Sequence, residues 1–312
     1  MKKRNLNRRN GLLKVPIPLT LFILVIISLI GCNSNDKSAE SSSNQDGDSK
    51  QTSQLNKDFA KLEDQFAAHI GVYAIDTGND QTIEYHSEKR FAYSSTFKVL
   101  AVANVLKQNE IKDLEKVITY HEDDLVAHSP VTEKHVDTGM TLKDISKAAI
   151  RESDNTAGNL LLQSIGGIDA FKKYLRSIGD DVTEPERYEV ALNEFSPGDK
   201  RDTSTPKMMA TDLKKVTLDE HLSDEKSEVL IDLMKDNEAG DPLIRKGAPT
   251  GWKVADKSGA GTYGTRNDIA VVYPPNREPI VMAIMSHQDK EDAEFNDEVV
   301  AEAAKITLEA LK

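Results

Sequence analysis

This sequence predicts an α+β fold: an antiparallel five-stranded sheet flanked by helices, with an all-helical subdomain inserted. Three observations lead there. Strand-like segments fall only near the two ends of the chain's globular part, two before residue 90 and three after residue 250. The stretch between them patterns as helices. Helical segments also precede the first strand and follow the last, so both faces of a sheet can be covered.

In chain order, the first 31 residues carry six basic residues (Lys2, Lys3, Arg4, Arg8, Arg9, Lys14) and no acidic one. Their apolar run, Ile17 to Ile30, is 14 residues long. A membrane-spanning helix needs about 20, so residues 1–31 are expected to be a signal segment. Residues 32–55 are rich in Ser, Asn and Asp and offer almost nothing to bury, which predicts a disordered tether. The domain proper is expected over 56–312.

A helix is predicted from about Gln54 to His69. Strands Gly71–Asp76 and Gln81–Tyr85 follow, joined by Thr77-Gly78-Asn79-Asp80, which reads as a hairpin turn. Helices are expected at 95–108, 142–151, 155–164, 168–177, 206–216 and 223–236. Thr205-Pro206 supplies a helix start, an N-cap residue followed by proline at the first helical position. Strands Gly251–Ser258, Thr265–Tyr273 and Ile280–Ser286 come next, with Pro274-Pro275-Asn276 breaking the chain between the last two. In 291–312, Phe295, Val299, Ala303, Ile306 and Ala310 recur at helical spacing and predict one core-facing stripe.

The 312 residues carry 40 basic and 52 acidic side chains, a net charge of −12. Without the six basic residues of the leader, 34 face 52, or −18 over 281 residues. So acidic a body disfavours binding nucleic acid through its phosphates and offers no polybasic patch to anionic lipid. The seven histidines are dispersed, with no His-x-His-x-Asp or His-Glu-x-x-His spacing, and the body holds no cysteine. Neither a zinc centre nor any other cofactor is expected.

The chemistry concentrates in four stretches. In Ser95-Thr96-Phe97-Lys98 a hydroxyl and an amine three residues apart share a helix face, where a neutral amine can take the serine proton. Ser-x-x-Lys alone is a weak signal. It is followed by Ser153-Asp154-Asn155, then by Glu189-Val190-Ala191-Leu192-Asn193, then by Lys257-Ser258-Gly259. Glu189 and Asn193, four apart, could hold one water between them. Lys257 lies inside a predicted strand and needs a partner there.

This ordered set resembles the class A β-lactamases, the serine hydrolases that open penicillins and cephalosporins. The connecting text at 124–135, 153–162 and 196–206 is similar as well, and the resemblance spans roughly residues 56–312. It implies a β-lactamase/transpeptidase-like architecture. The site would lie in a cleft between an α/β part (about 56–90 and 237–312) and a helical part (about 91–236). It implies Ser95 as nucleophile, Lys98 as proton acceptor or relay, Ser153 as proton donor to the leaving nitrogen, and Glu189 with Asn193 as the water-activating pair. Whether Glu189 or Lys98 serves acylation stays open. The backbone N–H groups of Ser95 and Ala260 would form the oxyanion hole, and Gly259 would allow close approach to the strand. Asn155 would hold the substrate's side-chain amide; Lys257, Ser258 and Arg266 would take its carboxylate. Arg187 and Asp202 would pin the segment called the Ω-loop, in which relatives with proline after the glutamate often have a cis bond, here Glu189–Val190. The chain departs from the family in having Val190 where proline is common, Ser258 where threonine is usual, and His128 where an aromatic often stands at the cleft mouth.

Leu29-Ile30-Gly31-Cys32 resembles the lipobox of bacterial lipoproteins, which implies cleavage before Cys32, the chain's one cysteine, and its acylation. The expected product is a monomeric, exported enzyme with a small-molecule β-lactam substrate, held at the outer face of the bacterial cell membrane by lipid alone. Of two alternatives, the first shares Ser-x-x-Lys and Lys-Thr/Ser-Gly. A penicillin-binding transpeptidase or carboxypeptidase lacks the Glu189 loop, and a non-catalytic β-lactam sensor would normally carry a transmembrane signalling region.

Overall fold

Strands with both faces covered dominate the sheet. On Ile280–Gln288, the odd-numbered Val281, Ala283 and Met285 are buried with the helical part's apolar side chains, and the even-numbered Ile280, Met282 and Ile284 with those of the terminal helices. Successive strand residues point to opposite faces, so a strand covered twice reads as a continuous apolar run.

The computed structural model describes residues 42–235 and 237–312. Residues Asp46–Lys312 form one unit. The elements of the described residues are α1 (Ser42–Phe66), β1 (Ala68–Asp76), β2 (Thr82–Tyr85), β3 (Phe91–Ala92), α2 (Phe97–Gln108), β4 (Val117–Ile118), β5 (Met140–Thr141), α3 (Leu142–Arg151), α4 (Asn155–Ser164), α5 (Ile168–Ser177), β6 (Thr203–Ser204), α6 (Pro206–Thr217), α7 (Asp224–Lys235), α8 (Ile244–Gly247), β7 (Lys253–Gly261), β8 (Thr265–Tyr273), β9 (Ile280–Gln288) and α9 (Asp297–Ala310). The sheet order is β2-β1-β9-β8-β7, antiparallel throughout, an α+β architecture with five strands as expected. On one sheet face Phe59 and Leu62 of α1 pack with Val299, Val300 and Leu308 of α9. On the other, α2 to α7 supply Phe97, Leu100, Ile145, Leu161, Leu213 and Leu230. No helix among the described residues is long and apolar enough to cross a membrane.

Four differences from the sequence reading have local causes. Helix α1 begins at Ser42, not near Gln54, so residues 42–55 are helical where a tether is expected. Its packed turns, Leu55 to Phe66, supply the nucleus onto which a polar segment adds one residue at a time. Residues 32–41 lie outside those described. Second, Ser95 belongs to a 3-10 turn, Ser94–Thr96, and the α-helix opens only at Phe97. Third, the middle of the chain is not purely helical: β3 pairs with β6 and β4 with β5, two residues each. Fourth, Phe295 is not on the core stripe of α9. Asn296 caps that helix by accepting from the Glu298 N–H at 3.0 Å, which leaves Phe295 before the first turn and 50% exposed.

Candidate active site

The 3-10 turn that carries Ser95 is clamped against the edge strand β7. A methyl group on Gly259 would stand 3.1 Å from the Ser95 nitrogen, the Tyr93 carbonyl oxygen and the Ser94 Cβ. A larger residue would push the strand away, so glycine is needed for that approach. Behind the turn, Asn267 of β8 donates to the Ala92 carbonyl at 2.7 Å and accepts from the Ser286 N–H at 3.2 Å.

One turn after Ser95, at the start of α2, Lys98 is wholly buried. Its ammonium donates to Ser95 Oγ at 2.9 Å, to Asn155 Oδ1 at 2.8 Å and to the Ser153 carbonyl at 2.8 Å. It also pairs with Glu189 Oε1 at 3.0 Å. Burial pushes the Lys98 amine down from its ordinary range, and the charge of Glu189 works against that shift. Gly158 of α4 makes room, since a methyl group there would stand 2.7 Å from Lys98 Cε.

The Ser153-Asp154-Asn155 segment enters α4. Asp154 caps it, accepting from the Ala157 N–H at 2.8 Å, and also ties down the Val131 and Thr132 N–H groups at 3.0 and 2.9 Å. Ser153 takes a positive φ of 53°, unusual for a residue with a side chain. Its hydroxyl accepts from Lys257 Nζ at 3.0 Å. Asn155 is anchored by its Nδ2, which donates to the Ala127 carbonyl at 2.9 Å.

Glu189 reaches the Ser95 hydroxyl from the Ω segment. Ser95 Oγ donates to its Oε1 at 3.3 Å, and Asn193 Nδ2 donates to its Oε2 at 2.6 Å. The Glu189–Val190 peptide is cis. Asp202 closes the segment: its Oδ1 accepts from the Glu186 and Arg187 N–H groups and from Tyr93 Oη at 2.9, 3.0 and 3.0 Å, and its Oδ2 from Arg187 Nε at 2.5 Å.

Lys257 is also wholly buried, donating to Ser153 and to the Ser258 carbonyl at 2.8 Å. Burial, with the nearby charge of Lys98, brings its amine down to about 7. Ser258 is buried beside it, and Ala260, half-buried, pairs with Arg266 across β7 and β8. Arg266 donates through Nε to Asp297 Oδ1 at 2.6 Å. His128, exposed and at φ 60°, turns its Nε2–H to the Glu152 carbonyl at 3.2 Å, while its own carbonyl accepts from the Asn155 N–H at 3.0 Å. Cys32 lies outside the described residues.

Ser95, Lys98, Ser153, Asn155, Glu189, Asn193 and Lys257 thus join in one hydrogen-bonded chain, Lys98 linked to Ser153 through its carbonyl, with a hydroxyl between a buried amine and a buried carboxylate. Such a set can remove a proton from an attacking hydroxyl and later from a water. The sequence alone gives no role to Asn159, which brackets Glu189, nor to Asp154 or Gly158. Their signal was spacing: Asn159 stands four residues after Asn155 on the same helix face.

A family model described as the β-lactamase enzyme family matches residues 54–311. A β-lactamase of Bacillus subtilis (strain 168) is 59% identical over 257 residues, 82% of this chain and 84% of that protein. A β-lactamase of Bacillus amyloliquefaciens is 54% identical over 290 residues, 93% of this chain and 95% of that one. The crystal structure of a class A β-lactamase from Clostridium kluyveri DSM 555 superposes with a TM-score of 0.82 at 48% identity, covering 83% of this chain and 98% of that one.

Proposed function

The chain belongs to the β-lactamase enzyme family and hydrolyses β-lactams, and from that premise we propose a serine acyl-enzyme route with these residues in named roles. Ser95 Oγ attacks the lactam carbonyl carbon and its proton passes to the Lys98–Glu189 pair, both members of which reach the hydroxyl. The N–H groups of Ser95 and Ala260 receive the developing negative oxygen. The carbon–nitrogen bond breaks as Ser153 delivers a proton to the nitrogen; Lys257, 3.0 Å from the Ser153 hydroxyl, replaces it and is itself reprotonated by the proton that the Lys98–Glu189 pair took from Ser95, which leaves Glu189 a carboxylate. Glu189 then removes a proton from a water held with Asn193. That water opens the ester, Ser95 regains its proton, and the ring-opened acid leaves.

The supporting observation is the double approach to one hydroxyl, Lys98 at 2.9 Å and Glu189 at 3.3 Å, with Asn193 on the other carboxylate oxygen. A penicillin-binding transpeptidase would not need the second base. Turnover of a chromogenic cephalosporin by the purified 33–312 fragment tests the route. Many turnovers per enzyme, with a transient adduct on the peptide containing Ser95, are expected; a single stoichiometric burst would overturn it.

We also infer a lipid-anchored form. Leu29-Ile30-Gly31-Cys32 closes an apolar leader, Cys32 is the chain's one cysteine, and the acidic body has no evident grip on anionic lipid. In this reading the enzyme works as a monomer on the outer face of the cell membrane.

A further inference from the structure

We propose that Phe295 is a positioning residue for substrate binding, its ring holding the Arg266 guanidinium as a preformed receptor for the β-lactam carboxylate. This deepens the assignment of Arg266 to carboxylate binding and rests on it.

Arg266 is held on two sides. Its central carbon lies 4.8 Å from the centroid of the Phe295 ring, and its Nε donates to Asp297 Oδ1 at 2.6 Å. Asp297 stands in the first turn of α9, where the helix dipole favours a carboxylate. Among the described residues no hydrogen bond uses Nη1 or Nη2 of Arg266. The stack and the Nε bond fix the plane of the fork, and its outer edge keeps two donors that match a carboxylate.

The ring is placed for this and not for the core. Phe295 is among the few large apolar side chains with half their surface exposed. The loop that presents it is tied down at two points before the ring, by the Tyr263 N–H to the Glu291 carbonyl at 2.9 Å and by Gln288 Nε2 to the Glu294 carbonyl at 2.7 Å, and just after it by the Asn296 cap of α9. A flexible arginine loses rotamer freedom on binding an anion. Stacking removes part of that freedom beforehand, so the gain should appear in substrate binding and not in the chemical step.

The test is a two-by-two set, wild type, Phe295→Ala, Arg266→Ala and the double variant, with KM and kcat measured for benzylpenicillin and folding checked by thermal melting. A cation over an aromatic face at a partly exposed site is worth about twofold to fivefold in affinity. Phe295→Ala should raise KM by that factor and leave kcat within about twofold. Phe295→Tyr, which keeps the ring face, should restore KM; Phe295→Leu, which keeps only apolar bulk, should not. In the Arg266→Ala background the loss of Phe295 should change nothing further. An equal rise in KM in that background would mean that the ring meets the substrate directly, and would overturn the proposal. An unchanged KM in Phe295→Ala, with a raised KM in Arg266→Ala, would overturn it while leaving the carboxylate assignment intact. An unchanged KM in Arg266→Ala would remove that assignment and the proposal with it.

Discussion

Asn159 holds both sides of the Glu189 main chain. Its Oδ1 accepts from the Glu189 N–H at 2.8 Å and its Nδ2 donates to the Glu189 carbonyl at 3.0 Å, all of it buried. A helix of the core thereby fixes the height at which the carboxylate meets Ser95, from a segment that otherwise has no strand or α-helix.

Asn159→Ala should therefore hurt the reaction more than the fold. It leaves a buried N–H and a buried carbonyl unpaired, each costing about 1–3 kcal/mol. The Ω segment can relieve that cost by moving, and Glu189 moves with it. A drop in deacylation of at least about tenfold is expected, since a misplaced base forfeits part of a contribution of about 10²–10⁴. Pre-steady-state kinetics separate the two steps: a burst of acylation followed by a slow phase supports this, and unchanged steady turnover contradicts it.

Asp202→Ala should loosen the same segment from its other end. Asp202 is fully buried, with three donors on Oδ1 and Arg187 on Oδ2. Removing one partner of a buried pair costs about 3–5 kcal/mol. The expected result is a lower melting temperature together with faster proteolytic cutting between residues 186 and 201 than in the body. Uniform cutting along the chain would show that Asp202 supports the whole fold and not this segment.

The same residues show what a sequence displays and what it hides. Ser95, Lys98, Ser153, Glu189 and Lys257 stand out because reactive chemistry demands particular residue types in a particular order. Strands β8 and β9 stand out because burial on both faces leaves uninterrupted apolar runs. Asn159 does not, because an asparagine in a helix is ordinary until the loop it grips is placed beside it. Phe295 reads as the first residue of a core stripe because its spacing to Val299 is helical; only the Asn296 cap, a three-dimensional fact, puts it outside the helix and over Arg266. The early start of α1 is hidden for a different reason, since its first turns have no apolar face to announce them.

Lys257 should set an alkaline limit on binding. Its amine is brought down to about 7 by burial and by Lys98. Its cationic form, the one that attracts a carboxylate, therefore dominates below about 7 and is lost as pH rises through it. KM for benzylpenicillin should climb on the alkaline side, and kcat/KM, which reports the free enzyme, should fall there. Lys257→Arg keeps a cation at every working pH, so its KM should stay flat between pH 6 and 9, whatever its absolute value. An identical alkaline rise in that variant would assign the titration to another group.

Cys32→Ser should release the enzyme without disabling it. The reactive set begins at Ser95, far along the chain from Cys32. One or two acyl chains dominate membrane affinity when the protein surface contributes little. Fractionated cells should show the variant outside the membrane pellet with full specific activity. Retention equal to wild type would rule out the lipid anchor.

Glu189→Gln is the decisive variant, because it separates making the acyl-enzyme from clearing it. An ester on Ser95 persists unless a water is aimed and deprotonated. Glutamine keeps the shape and can still meet Asn193, but it cannot accept the proton. It also removes the negative partner of Lys98 at 3.0 Å, leaving that amine buried without a compensating charge from residue 189. Burial already lowers its pKa, so the loss of Glu189 favours the neutral form. A neutral Lys98, 2.9 Å from Ser95 Oγ, is a competent base for the first step. Acylation should then survive in the variant while deacylation loses about 10²–10⁴ in rate. Mass spectrometry after mixing with penicillin should find a lasting adduct on the Ser95 peptide. If no adduct forms at all, Glu189 also serves acylation; near-normal turnover with no lasting adduct would assign the second base elsewhere.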